Sequence, residues 1–150
     1  MKRRDFFSAA GMAGFGGFLA GGCGNGTSAK APKKLFSFVF FTDVHVQPES
    51  GGKEGFLAAI AKMNSLKPDF ALGGGDYVMD ALGADEKRAV ELYDLYAECA
   101  KSFAMPVHLV MGNHEVFGPY VPDKVPVDHP EWGKEMFKKR LGGGATWRSF

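Results

Sequence analysis

Cysteine is nearly missing from the 150 residues of this chain, where Cys23 and Cys99 are the only two. So few thiols can build neither a disulfide framework nor a cysteine metal site. Cys99 falls on a predicted helix face and reads as a small buried apolar residue. Long apolar runs are scarce as well. The weakly apolar stretch that ends at Ala20 is too short and too rich in glycine to make a transmembrane helix. No stripe of Lys and Arg interleaved with aromatics occurs anywhere, which argues against nucleic acid as a specific partner. Internal repeats are absent too.

What is present divides in two by charge. Residues 1–34 hold six Lys/Arg against one Asp, and residues 35–150 hold twelve against sixteen Asp/Glu, so the net charge of +1 hides a basic leader and a mildly acidic body. The leader reads Lys2-Arg3-Arg4-Asp5-Phe6-Phe7, then a Gly/Ala-rich stretch, then Gly21-Gly22-Cys23. That is the composition of a targeting segment. Paired arginines before a bulky apolar pair resemble the twin-arginine export signal, and Leu19-Ala20-Gly21-Gly22-Cys23 resembles a bacterial lipoprotein cleavage site, with cleavage after Ala29 as the alternative. These resemblances imply the export machinery as a partner and a lipid anchor at Cys23. They place the mature protein in the periplasm or anchored on the outer side of the inner membrane. The expected organisation is an export signal over 1–23, a flexible tether over 24–34 rich in Gly, Lys and small polar residues, and one domain over 35–150.

The domain opens with an unbroken apolar run, Leu35 to Phe41, which predicts a central strand covered on both faces. Phe56, Ile60 and Met63, with Leu57 or Leu66, recur at helical spacing, and Lys67-Pro68 ends that helix. A second strand over Asp69 to Leu72 runs into Gly73-Gly74-Gly75. From Asp85, a predicted cap, to Phe103 a second helix turns Ala89, Leu92, Tyr93, Tyr96, Cys99 and Phe103 to one side. Pro106 breaks the chain before a third strand, Val107 to Met111. The order β-α-β-α-β implies an α/β fold with right-handed crossovers and a parallel sheet. A Pro-rich loop follows, then a short helix opened by Pro130 that carries Trp132, Met136, Phe137 and Leu141. Gly142-Gly143-Gly144 ends it, and residues 146–150 are expected to start a further strand.

Three short segments follow the three strands: Asp43-Val44-His45, Gly74-Gly75-Asp76 and Gly112-Asn113-His114-Glu115. In open α/β sheets ligands sit beyond the carboxyl ends of the strands, where all three fall. Asp43 and His45 are two apart, so in an extended segment both side chains point the same way and can grip one cation. Taken alone, this pair reads equally well as a strand-end cap. Asp76, after three glycines, can bridge two cations or simply accept N–H bonds in a turn. Asn113 offers a neutral oxygen ligand, and the adjacent His114 stays free for proton transfer. Together, in this order, they point to a metal site whose oxygen and imidazole donors suit Mn, Fe or Zn. His108 reads as a sheet-face histidine, and His129, in a loop beside Pro130, as a solvated or helix-start residue.

These segments resemble the signature Asp-x-His, Gly-Asp and Gly-Asn-His-Asp/Glu motifs of the calcineurin-like metallophosphoesterase superfamily, over about residues 36 to 150. The resemblance implies the N-terminal βαβαβ part of a layered sheet sandwich flanked by helices. It also implies phosphoester hydrolysis, of a diester or a monoester, at a dinuclear centre with a bridging hydroxide. Asp43 and His45 would bind the first metal, Asp76 would bridge both, Asn113 would bind the second, and His114 would be catalytic at the leaving group. Glu115 would be a local structural partner. In several relatives an acidic residue three positions after the bridging aspartate orients the histidine; here Met79 holds that place and Asp80 comes one later. A further histidine and a Gly-His-x-His segment complete the metal shells in the superfamily. With neither in this sequence, the domain is expected to be incomplete at its C-terminal side and inactive by itself. The alternative is a non-catalytic exported lipoprotein, or a degenerate gene product that keeps half a metal site.

Overall fold

The computed structural model describes residues 35–149. The expected export signal over 1–23, the expected tether over 24–34 and Phe150 lie outside the described residues. Among the described residues no helix is long and apolar enough to cross a membrane.

Six elements follow one another: β1 (Phe38–Phe41), α1 (Gly52–Ser65), β2 (Phe70–Gly73), α2 (Glu86–Ala100), β3 (Val107–Leu109) and α3 (Glu135–Arg140). The strands form one parallel sheet in the order β1-β2-β3. This is the α/β arrangement the sequence predicts. Its register sets Phe40 beside Leu72 and His108, and Phe41 beside Gly73 and Leu109.

Because side chains alternate across a strand, Phe41 and Leu109 face one way and Phe38, Phe40 and His108 the other. The first set meets the helices. Phe41 lies against Phe56 of α1 and against Tyr77 and Phe103, and the core continues through Ile60, Leu92, Tyr93, Tyr96 and Cys99. Cys99 is a buried free thiol, as expected. Truncating one such fully buried residue, Leu92 to alanine, costs about 2–5 kcal/mol.

The second set is open to solvent, with Phe38 at 48% and Phe40 at 63% exposure. Among the described residues β1 is therefore an edge strand with one uncovered face, which corrects the expectation of a covered central strand. The reason is topological. Strands laid down in order, each joined by a right-handed crossover, put both crossover helices on the same face.

Asp85 caps α2 as predicted, its Oδ1 accepting the Arg88 N–H at 2.9 Å. The last helix is shorter than the sequence suggests, since Gly133 is held in an antiparallel bridge to Phe117 before α3 begins. Glu131, buried at that corner, accepts from Lys139 Nζ and from Arg140 Nε at 2.8 Å, while Arg140 also reaches Asp94 on α2 at 3.4 Å. Those bonds dock α3. Near the end of the described chain, Met111 N–H donates to Thr146 O at 2.9 Å, and residues 146–149 form no strand.

Candidate metal centre

Beyond Phe41 and Gly73 the β1–β2 ladder opens, but the two chains stay side by side. Asp43 N–H donates to Gly75 O at 3.2 Å, His45 N–H to Asp76 O at 3.0 Å and Val46 N–H to Tyr77 O at 2.9 Å, and Val46 then bridges Val78. Fitting this detour takes left-handed backbone at three site residues: Asp43 (φ 55°), His45 (φ 47°) and Asp76 (φ 56°). Such values are unusual for residues with a β-carbon and cluster at functional sites. The Asp43-Val44-His45 segment is thus not extended, contrary to the sequence expectation. Its two side chains still meet, with Asp43 Oδ1 at 3.8 Å from His45 Nε2.

The third segment arrives from β3 against a bare backbone. Gly75 has φ 103°, and a β-carbon there would come 2.6 Å from Gly112 Cα. Glu115, fully buried, accepts the N–H groups of Asp76, Tyr77, Val78 and Gly112. Burial pushes the pKa of its carboxyl above the usual carboxylate range, and these four bonds act against that rise. Its own carbonyl accepts the buried Tyr93 hydroxyl at 2.6 Å. His114 N–H donates to Asp76 Oδ1 at 3.0 Å, which brings histidine and aspartate together.

The donor atoms of His45, Asp76 and His114 lie within 4.8 Å of one another. The two imidazoles meet edge to face, 4.4 Å between centroids. Both Nδ1 atoms address one acceptor, the Met79 carbonyl, at 3.5 Å from His45 and closer from His114. Asp43 is exposed beside His45, and Asn113 is exposed at the start of the turn that carries His114. Two donors to one ion at about 2.0–2.2 Å each are separated by roughly 3–4 Å, so the Asp43–His45 spacing fits a shared cation.

Two contributors escape a reading of letters. The Met79 carbonyl faces both histidine rings, while Asp80 turns to its own loop and accepts the Gly83 N–H at 3.2 Å. A backbone acceptor has no sequence signal. Glu115 was visible as a motif letter, but its four converging donors were not. His108 stands on the open sheet face, edge-on to Phe70 at 6.0 Å. His129 is half-buried, with Nε2 at 3.4 Å from Glu86 and Nδ1 accepting the Glu131 N–H. Neither histidine belongs to the cluster.

A family model described as calcineurin-like phosphoesterase matches residues 36–147. Among solved structures, a dimetal phosphatase from Danio rerio is similar at 18% identity and a TM-score of 0.48, over 55% of this chain and 31% of that one. The chain thus spans less than a third of that protein's length. No curated protein matches.

Proposed function

Because the chain belongs to the calcineurin-like phosphoesterase family, we propose that the strand-end cluster is part of a two-ion centre that hydrolyses phosphoesters, with Mn, Fe or Zn as the ions. The observation that supports this most is the approach of the His45, Asp76 and His114 donor atoms to within 4.8 Å. In this reading Asp43 and His45 hold the first ion, Asp76 serves both, and Asn113 holds the second. Ions of this class, when bound, neutralise charge on phosphoryl oxygens and supply an activated water at neutral pH.

The chain's own residues place the proton. A carbonyl oxygen only accepts, so the Met79 carbonyl keeps a hydrogen on His114 Nδ1 and leaves Nε2 for the substrate side. When Nε2 also carries a proton it can donate to the departing oxygen, a contribution of typically ~10²- to 10⁴-fold. His45 is held in the same tautomer by the same carbonyl. Asp76 is fixed by accepting the His114 N–H, so the ligand and the proton donor keep one spacing.

Asp76 and Asn113 are the only donors this reading gives the second ion. The 150-residue chain is therefore expected to bind at most one ion, weakly, and to turn over little substrate. Equilibrium dialysis against Mn with metal analysis tests the assignment, followed by hydrolysis of an aryl phosphodiester and an aryl phosphomonoester. Asp76→Asn keeps one oxygen donor but removes the negative charge and the second carboxylate oxygen, and should weaken uptake at least tenfold, since even groups that only orient metal ligands are worth ~10- to 100-fold; equal uptake by the variant and the parent sinks the reading.

Export is the second part of the proposal and rests on Arg3, Arg4 and Cys23. Replacing both arginines by lysine should strand the protein in the cytoplasm on fractionation. Fatty-acid labelling that disappears in Cys23→Ala would mark a lipid anchor; labelling that never appears points to a freely soluble mature form.

A further inference from the structure

We propose that Glu115 is a positioning residue whose carboxylate sets the spacing between Asp76 and His114. The proposal rests on the two-ion reading for its consequence, and its evidence is the hydrogen bonding. Oε2 accepts the N–H of Asp76 and of Gly112, both at 2.8 Å. Oε1 accepts the N–H of Tyr77 at 2.6 Å and of Val78 at 3.2 Å. Three of these donors come from the chain after β2, and the fourth comes from the turn that holds Glu115 itself. The carboxylate therefore ties the segment that carries Asp76 to the turn that carries Asn113 and His114.

The place is shaped for this group. Glu115 is fully buried, and a β-carbon at Gly112 would run into Asp76 and into Glu115 Oε2. Backbone N–H groups left unpaired in such a place are costly, so the carboxylate and its donors hold each other. The His114 N–H is not one of the four. It bonds Asp76 Oδ1 at 3.0 Å, and it stays bonded only while the two segments keep their distance. Glu115 thus acts on the centre through the position of Asp76 relative to His114, without touching an ion or substrate itself.

A merely local role and a positioning role separate in Glu115→Gln. The amide nitrogen cannot accept, so one pair of N–H groups loses its partner whichever way the amide turns. Amide hydrogen exchange by NMR on the ion-free 150-residue chain should show faster exchange at one pair, Asp76 with Gly112 or Tyr77 with Val78. It should also show faster exchange at His114, with Leu92 and Tyr96 of α2 still protected. Mn binding, read by paramagnetic broadening, should weaken ~10- to 100-fold, the usual effect of removing a group that orients metal ligands. If Glu115→Gln does not fold, converting the Gly112 amide to an ester removes one of the four donors. That change should quicken exchange at His114 and weaken Mn binding in the same direction.

Unchanged exchange at His114 in either variant overturns the proposal, even where the direct donors of Glu115 exchange faster. A wild-type chain that takes up no Mn would sink the two-ion reading instead. The His114 amide would then decide for or against Glu115 on its own.

Discussion

A left-handed backbone costs a residue with a β-carbon roughly 1–2 kcal/mol, and Asp43, His45 and Asp76 all adopt one. Asp43 isolates the effect, because its side chain is 65% exposed and little packing is lost with it. Glycine has no penalty at positive φ, whereas alanine keeps the β-carbon and loses the aspartate's tolerance of that region. Asp43→Gly is therefore expected to be more stable than Asp43→Ala by about 1 kcal/mol. Both should bind Mn more weakly than the parent. Urea unfolding of the two ion-free variants measures the difference, and an alanine variant as stable as the glycine one would remove strain from the account. At this scale the sequence was legible in part. The letters of Asp43, His45, Asp76, Asn113 and His114 could be read because each follows an apolar run. The left-handed conformation of Asp43, His45 and Asp76 could not, since strand alternation alone makes an Asp-x-His pair extended. The detour that imposes it comes from the neighbouring chain at Val46 and Val78.

Among elements, local signals were the most readable. Helical spacing and Asp85 located α2, and Lys67-Pro68 located the end of α1. Strand lengths were overread: β1 begins at Phe38 and not at Leu35, because an apolar run records burial chemistry and says nothing of where hydrogen bonding starts. The docking of α3 was not legible at all, since Glu131, Lys139, Arg140 and Asp94 meet only through tertiary structure. That network gives a pH-dependent expectation. Burial alone would raise the Glu131 carboxyl, but the bonds from Lys139 and Arg140 outweigh it and hold it below the ordinary value of 4.5. A depressed carboxylate contributes stability that is complete above its unfolded value and is lost as pH falls through its folded value. Glu131→Gln should therefore cost about 1–3 kcal/mol at pH 7, the worth of a charge-assisted hydrogen bond. The gap to the parent should close as pH falls below about 4.5. Urea midpoints from pH 7 to pH 3 test this, and a gap that stays constant would show that the charge of Glu131 is not what docks α3.

At the scale of the molecule, the distribution of aromatic side chains is the dominant fact. One sheet face meets the helices, and the other presents Phe36 at 58%, Phe38 at 48%, Phe40 at 63% and Val110 at 39% exposure. Phe36, Phe38 and Phe70 touch one another, with ring centroids 5.6 to 6.4 Å apart. Parallel sheets are normally covered on both faces, and a contiguous apolar patch on an edge strand is the usual route to association. The 150-residue chain should therefore associate reversibly at micromolar concentration. Because the contact is apolar, added salt should not weaken it, whereas an association through exposed ion pairs would be screened. Phe36→Glu with Phe38→Lys should shift the chain toward monomer while leaving Mn binding unchanged, since both rings pack with Phe70 at the opposite end of the strands from the cluster. Sedimentation velocity across a concentration series, with and without salt, measures this. A single monomeric species at every concentration, or dissociation on adding salt, would show that the open aromatic face does not drive assembly.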